Sequence, residues 1–188
     1  MIVLVMKNLR IFLFILVLPL VIISCKNVLL PQYKGNVLII DTKGNEYKSK
    51  AIISKDVRDF ELKASIKFEK TYRNNSSAWA GFFIKADNLK GKHGKDSGYL
   101  CFVREDGEIG IHSSPPPNRE VIKQTYKFPI KLNKKRDIII ICQNSKISFF
   151  VDNQLIYQIN DIGLNGPFIS ANCGGGVSVF KIDYIKKM

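Results

Sequence analysis

The sequence predicts an all-β protein, an antiparallel two-sheet sandwich. Three observations carry that expectation. In "FELKASIKFE", residues 60–69, Phe60, Leu62, Ala64, Ile66 and Phe68 alternate with polar or charged residues, the period of a strand lying on a core. Short apolar runs recur along the rest of the chain, separated by the turn sequences "EDG", "QNS", "VDNQ", "GLNGP" and "CGGG". No stretch after Cys25 has a convincing helical period, and parallel strands would need crossovers, usually helical, so the strands are expected to run antiparallel.

Taken in order, the chain opens on residues foreign to a sandwich. Ile11 to Ser24 is almost wholly apolar, Lys7 and Arg10 are the only charges before Cys25, and no acid occurs until Asp41. This is the layout of a secretory signal peptide over 1–24, and a start at Met6 would leave "MKNLR" as an ordinary basic n-region. The run ends in Ile22-Ile23-Ser24-Cys25, which resembles the bacterial lipobox. The resemblance implies diacylglyceryl transfer to the Cys25 thiol, cleavage before it, and acylation of the new amino terminus by a fatty acid such as palmitate. Several acyl chains hold a protein on a membrane stably, where one does not. The competing reading is an uncleaved transmembrane anchor, since the run approaches the roughly 20 residues a spanning helix needs. The lipobox reading makes membrane a partner and the bacterial cell envelope the location, at the outer membrane or cell surface; Lys26 is unlike an acidic inner-membrane retention signal.

Residues 25–35 contain Pro31 and little periodicity and read as a tether, leaving 36–188 as one domain. Strands are expected at 60–69, Ala80 to Ala86, Gly98 to Glu105, Gly107 to Ser113, Asp137 to Gln143, Lys146 to Asp152, Gln154 to Ile159, Gly166 to Asn172 and Gly176 to Lys187. "SSPPP", Ser113 to Pro117, reads as a rigid turn, and "LKGKHGKDSG", Leu89 to Gly98, as a mobile hairpin loop without Walker spacing.

Loss of the signal removes Lys7 and Arg10 and no acid, so the net charge falls only from +13 to +11 and the basicity belongs to the domain. It is either a solvated lysine surface or an attraction to anionic headgroups or acidic glycans. The lysines are scattered, with no basic helix or aromatic RNA-binding signature, so nucleic acid is not expected as a partner. With Cys25 lipidated, Cys101, Cys142 and Cys173 remain, an odd number in apolar surroundings ("YLCFV", "IIICQ", "SANCG"), expected to be buried free thiols. No metal or other cofactor is expected: no cysteine–histidine cluster suggests zinc, and Asp87, Asp96 and Asp152 are too dispersed for a calcium site.

The order of "DFELKASIKFE", "AGFFIKADN", "GYLCFVREDGEIGIH", "RDIIIICQNSKISFFVDNQLIYQI" and "GPFISANCGGGVSVFKIDYIKK" resembles the concanavalin A-like jelly roll, covering nearly all of Asp56 to Lys187. The similarity is greatest to laminin G-like and 3-keto-disaccharide hydrolase-like domains and to the levan-binding modules found beside glycosidases. The pieces that carry it are Ala80-Gly81 entering a strand that ends at Lys85, Gly98-Tyr99, the hairpin "KISFFVDNQLIY" and the closing "IDYI". It implies a sugar site on the outward side chains and rim loops of one sheet.

Parity then nominates residues. With Phe82 and Ile84 in the core, Gly81, Phe83 and Lys85 face outward, with Trp79 near the strand entrance; with Ile109 and Ile111 in the core, Glu108, Gly110 and His112 face outward. Tyr99 and Arg104 are an odd number of residues apart and cannot share a face. Aromatic rings stack on the apolar faces of sugars while charged groups bind hydroxyls. Trp79, Lys85, Tyr99, Arg104, Glu108 and His112 are therefore the candidate ligand-binding residues; the alternative for each is edge packing or plain solvation.

No catalytic residue is nominated. Jelly-roll glucanases need a strand with alternating acids, and neither "REDGEIG" nor "DFELK" supplies it. With only His93 and His112 and no nucleophile elbow, a Ser-His-Asp site has little support. Three functions follow: a membrane-anchored lipoprotein that binds carbohydrate, a hydrolase of the 3-keto-disaccharide type, or a structural or adhesion lipoprotein. Exposed aromatics beside the charges would favour the first, two carboxylates across a cleft the second, and a flat sheet without aromatics the third.

Overall fold

Twelve antiparallel strands form two six-stranded sheets in the computed structural model, which describes residues 36–43, 47–53, 58–72, 78–89, 91, 95–114, 120–126 and 132–188. The segments expected to be a signal peptide (1–24) and a tether (25–35, with Cys25), His93 and Pro115 to Pro117 lie outside the described residues. In chain order the strands are β1 (Asn36–Asp41), β2 (Lys48–Ile53), β3 (Phe60–Thr71), β4 (Trp79–Ala86), β5 (Tyr99–Arg104), β6 (Glu108–Ser113), β7 (Glu120–Tyr126), β8 (Lys135–Gln143), β9 (Lys146–Val151), β10 (Gln154–Asn160), β11 (Phe168–Gly174) and β12 (Gly176–Lys187). Sheet I runs β1-β12-β3-β8-β9-β10 and sheet II runs β2-β11-β4-β5-β6-β7. Among the described residues all regular structure is β.

The alternation read from the sequence is what packs the two sheets. On sheet I, Phe60, Leu62, Ala64, Ile66 and Phe68 of β3 point inward with Ile138, Ile140 and Cys142 of β8 and Phe180 and Ile182 of β12, all nearly inaccessible. Sheet II answers with Ala80, Phe82 and Ile84 of β4, Tyr99, Cys101 and Val103 of β5, Ile109 and Ile111 of β6, and Ala171 and Cys173 of β11. Phe82 meets Phe180 edge-on across the gap, ring centroids 5.5 Å apart. Each such large side chain contributes about 1.5–3 kcal/mol on burial. Cys101, Cys142 and Cys173 are free, buried thiols, as their apolar surroundings predict.

Every expected strand is present within about two residues; "GPFISAN" is shifted, starting at Phe168 and running to Gly174. Three strands escaped the sequence reading, β1, β2 and β7. β1 is an apolar run, "NVLIID", without polar alternation, and β2 and β7, "KSKAII" and "EVIKQTY", are edge strands whose aliphatic residues fall side by side instead of alternating.

One local feature overturns a parity. The β4–β11 register shifts between Phe168 and Ser170, and Lys85 adopts a left-handed backbone with φ 50°. This bulge takes Lys85 off the outer face and sends its side chain to Asp161, which follows β10.

Candidate functional site

Directly opposed residues of antiparallel neighbours share a face, so the register lays out the outer surface of sheet II row by row. One row aligns Gly174, Trp79 and Arg104 across β11, β4 and β5. The next is Asn172, Gly81, Phe102 and Gly110, and the third Ser170, Phe83, Leu100 and His112. Trp79, Glu108 and His112 therefore share this face, as their parity predicts, and Arg104 joins them, while Tyr99 points into the core opposite Ile84 and Lys85 leaves by the bulge. The structure thus divides the six candidates into four and two.

The floor of the face is apolar: Phe83, Ala86, Leu100 and Phe102 form a buried cluster with Trp79 and Phe168 packed against it. His112 is buried with its ring 4.6 Å from that of Phe102, so it belongs to the floor. The described part of the 89–98 loop packs here instead of standing free. Gly91 and Gly98 lie so close to the Phe83 ring that a Cβ on either would collide with it, and Ser170 donates its hydroxyl to the Gly91 carbonyl at 3.2 Å.

At one end the floor rises to an aromatic pair. Tyr47, just before β2, stacks on Trp79 with centroids 5.3 Å apart and planes 25° from parallel, both residues half-buried. The Tyr47 hydroxyl donates to the Asn172 side-chain oxygen; the Asn172 amide donates to Ser170 Oγ at 2.9 Å and to the Ser170 carbonyl at 3.2 Å. Both polar side chains are fully buried. Beside them Gly174 leaves room for the indole, since any Cβ there would fall on its Nε1. The stacked pair is therefore held by hydrogen bonds on one side and by backbone on the other, which keeps its rings preorganised.

Across the register from Trp79 stands Arg104, whose guanidinium binds the Asp106 carboxylate at 2.7 Å and also that of Glu108. Glu108 is almost wholly buried, whereas Arg104 and Asp106 are partly exposed. The tight β5–β6 turn makes this possible: Gly107 N–H donates to the Arg104 carbonyl and Glu108 N–H to Asp106 Oδ1. The neighbouring Glu105 has its carboxyl pKa raised, first by burial and then by the Asp106 charge. A fixed guanidinium with carboxylates beside two aromatic rings can stack on a flat apolar ring face and hydrogen-bond a set of hydroxyls.

Lys85 and Tyr99 converge elsewhere, on Asp161. The carboxylate binds Lys85 Nζ, accepts the Tyr99 hydroxyl at 2.7 Å, and receives the amides of Gly163 and Leu164. Tyr99 in turn accepts the Ile162 amide at 2.7 Å. Burial of Tyr99, and next its bond to Asp161, push the phenol pKa well above its usual value. This buried network ties the β10–β11 connection to sheet II. Tyr47, Asp106, Ser170, Asn172 and Asp161 were not read from the sequence. Ser170 and Asn172 did carry a signal, being polar residues at alternate positions in "FISANC"; Tyr47 carried none.

A recess of about 360 Å³ at the β3–β12 end of sheet I is lined, among the described residues, by Arg58, Asp59, Lys187 and Met188, none of them aromatic.

Neither a protein-family model nor a curated protein matches the chain. Among solved structures it is similar to the carbohydrate binding module CBM66 from Bacillus subtilis, with a TM-score of 0.61 and 18% identity over 81% of this chain and 92% of that one. Alginate lyase A1-II', a polysaccharide lyase of family 7, superposes with a TM-score of 0.54 and 12% identity, covering 82% of this chain and 81% of the lyase. The Emp46p carbohydrate recognition domain in its potassium-bound form gives 0.53 and 12%, covering 81% and 85%. These likenesses establish the fold, a two-sheet jelly-roll sandwich shared by binding modules and lyases alike.

Proposed function

We propose that this chain is a carbohydrate-binding protein whose site is the Trp79 end of the outer face of sheet II. The observation that carries the reading is the Tyr47–Trp79 stack standing beside Arg104, Asp106 and Glu108. The fold supports it, being shared with proteins named for carbohydrate binding and recognition. Hydrolysis by paired carboxylates requires acids on either side of a bond. Asp106 and Glu108 instead converge on one guanidinium, which suits binding. Lys85 and Tyr99 act in this reading as supports of the sandwich rim, and His112 as part of the floor.

A glycan array probed with the full chain in mild detergent tests the site. Wild type is expected to retain neutral or acidic glycans, and Trp79→Ala to lose at least about tenfold in affinity, the scale of one lost aromatic stacking contact. Absence of binding to any glycan would count decisively against the proposal.

The chain is further proposed to be a lipoprotein of the bacterial cell envelope, anchored through Cys25. The support is the apolar run ending in Ile22-Ile23-Ser24-Cys25. Incorporation of labelled palmitate in a lipoprotein-processing host, abolished by Cys25→Ser, is the expected result; label retained in that variant would reject it.

A further inference from the structure

The outer face of sheet I carries an apolar patch on its β1 side. Register sets Val37 beside Lys181, Ile39 beside Val179 and Asp41 beside Val177, with Lys67 and Lys70 of β3 beyond Val179 and Val177. Val37 and Ile39 are 56% and 53% exposed, on a strand whose only sheet neighbour among the described residues is β12. Val177 and Val179 are half-buried next to them. Four aliphatic side chains thus form one surface, ringed by Lys43, Lys50, Lys67, Lys70 and Lys181. Lys50 reaches over from β2 to donate its ammonium to the Ile39 carbonyl at 2.8 Å. Among the described residues two carboxylates lie in the ring and both are engaged: Asp41 accepts the Lys43 amide at 2.8 Å and the Tyr72 hydroxyl at 2.7 Å, and Glu69 pairs with Lys67 at 2.8 Å.

Aliphatic side chains ringed by ammonium groups match the chemistry of an anionic bilayer surface. There the apolar groups enter the headgroup region while the lysines stay at the level of the phosphates. A soluble polyanion would engage the lysines and leave the aliphatic side chains in water. Position agrees with this: β1 begins at Asn36, next to the segment 25–35 that joins it to Cys25, and ten residues of chain span at most about 35 Å. We propose that the β1 side of sheet I is a docking surface for anionic phospholipid, laying the domain against the membrane. Its orientation rests on the reading of Cys25 as the anchor.

The test places an environment-sensitive dye on Val37→Cys, with Gln158→Cys on β10, the opposite edge of sheet I, as control. The native thiols of the domain are buried and do not compete for the dye. The full chain, made in a lipoprotein-processing host, is reconstituted on vesicles of phosphatidylcholine alone or of equal parts phosphatidylcholine and phosphatidylglycerol. A blue shift is expected at position 37 on the anionic vesicles only, none at 158, with loss of the shift in Lys43→Glu/Lys181→Glu. Palmitate incorporation, measured on the same preparations, reports the anchor separately. Incorporation without the shift overturns the docking surface and leaves the anchor standing, while the shift without incorporation does the reverse. Equal shifts on neutral and anionic vesicles, or the same shift with soluble polygalacturonate, also overturn the docking surface.

Discussion

Asp161 is the residue on which the sandwich rim depends, because it holds the buried Lys85 ammonium and the Tyr99 hydroxyl at once. Asp161→Asn leaves that ammonium buried without its counter-charge and is expected to cost about 3–5 kcal/mol, whereas Lys85→Met combined with Asp161→Asn removes the unpaired charge, keeps an acceptor for the Tyr99 hydroxyl and the Gly163 and Leu164 amides, and is expected to recover most of that loss. Urea unfolding of the two variants checks the difference. Burial alone would raise the Asp161 pKa, but the bonds from Lys85 and Tyr99 outweigh it and hold the carboxyl below its ordinary value. Its contribution is therefore complete above the unfolded-state value of about 3.9 and is lost as pH falls through the folded-state value, so the gap between wild type and Asp161→Asn should close in acid. The three thiols give a second test. Burial raises Cys101 well above the usual range, Cys142 to about 12 and Cys173 to about 11. None is expected to react with a thiol reagent at neutral pH until the protein unfolds, when all three should react together. Lys85 also marks where residue-level reading ends. Strand parity put it on the outer face, and only the left-handed backbone at that position, unsignalled by any glycine or asparagine there, turned it away.

At the level of elements, strict alternation made β3 legible, and flanking glycines and turns did the same for β5, β6, β9 and β12. β1 was illegible because both its faces are apolar; its outer residues, Val37 and Ile39, lie on an exposed surface where alternation would have required polar side chains. Of the site, the parity of Trp79, Glu108 and His112 was readable within single strands, as was the opposition of Tyr99 to Arg104, though not which of those two faces outward. Tyr47 was not, because it joins them only through the β2–β11–β4 order of sheet II, a non-local pairing that no local pattern encodes. Gly174 tests how far β11 positions the site. A Cβ at that position must displace the Trp79 indole and open the Tyr47 stack. Gly174→Ala is expected to lower glycan affinity about as much as Trp79→Ala while costing about 1–3 kcal/mol of stability. Glycan binding by Gly174→Ala equal to that of wild type would show that the ring position is not set by β11.

The molecule as a whole is closed by its last strands. β12 lies between β1 and β3, and β11 lies between β2 and β4, so four strands made early have no complete set of neighbours until residues 168–187 exist. Such distant pairings impose loop-closure entropy before any contact offsets it, so folding is expected on the millisecond-to-second scale. A chain ending at Gly175 lacks the strand that carries Phe180, Ile182 and Ile185 into the core and leaves one side of β1 and β3 unpaired. It should show no cooperative urea transition and should expose Cys101, Cys142 and Cys173 to reagent at once. A cooperative transition in that truncated chain would mean that sheet II forms a stable unit alone. The same topology bears on the export proposed for this chain. A polypeptide that completes its sheets only after its carboxy-terminal strand is made stays unfolded throughout synthesis, the state in which a signal peptide delivers a chain across a membrane. Limited proteolysis of ribosome-bound chains lengthened by a linker beyond Met188 should therefore show protection only when β12 has emerged in full.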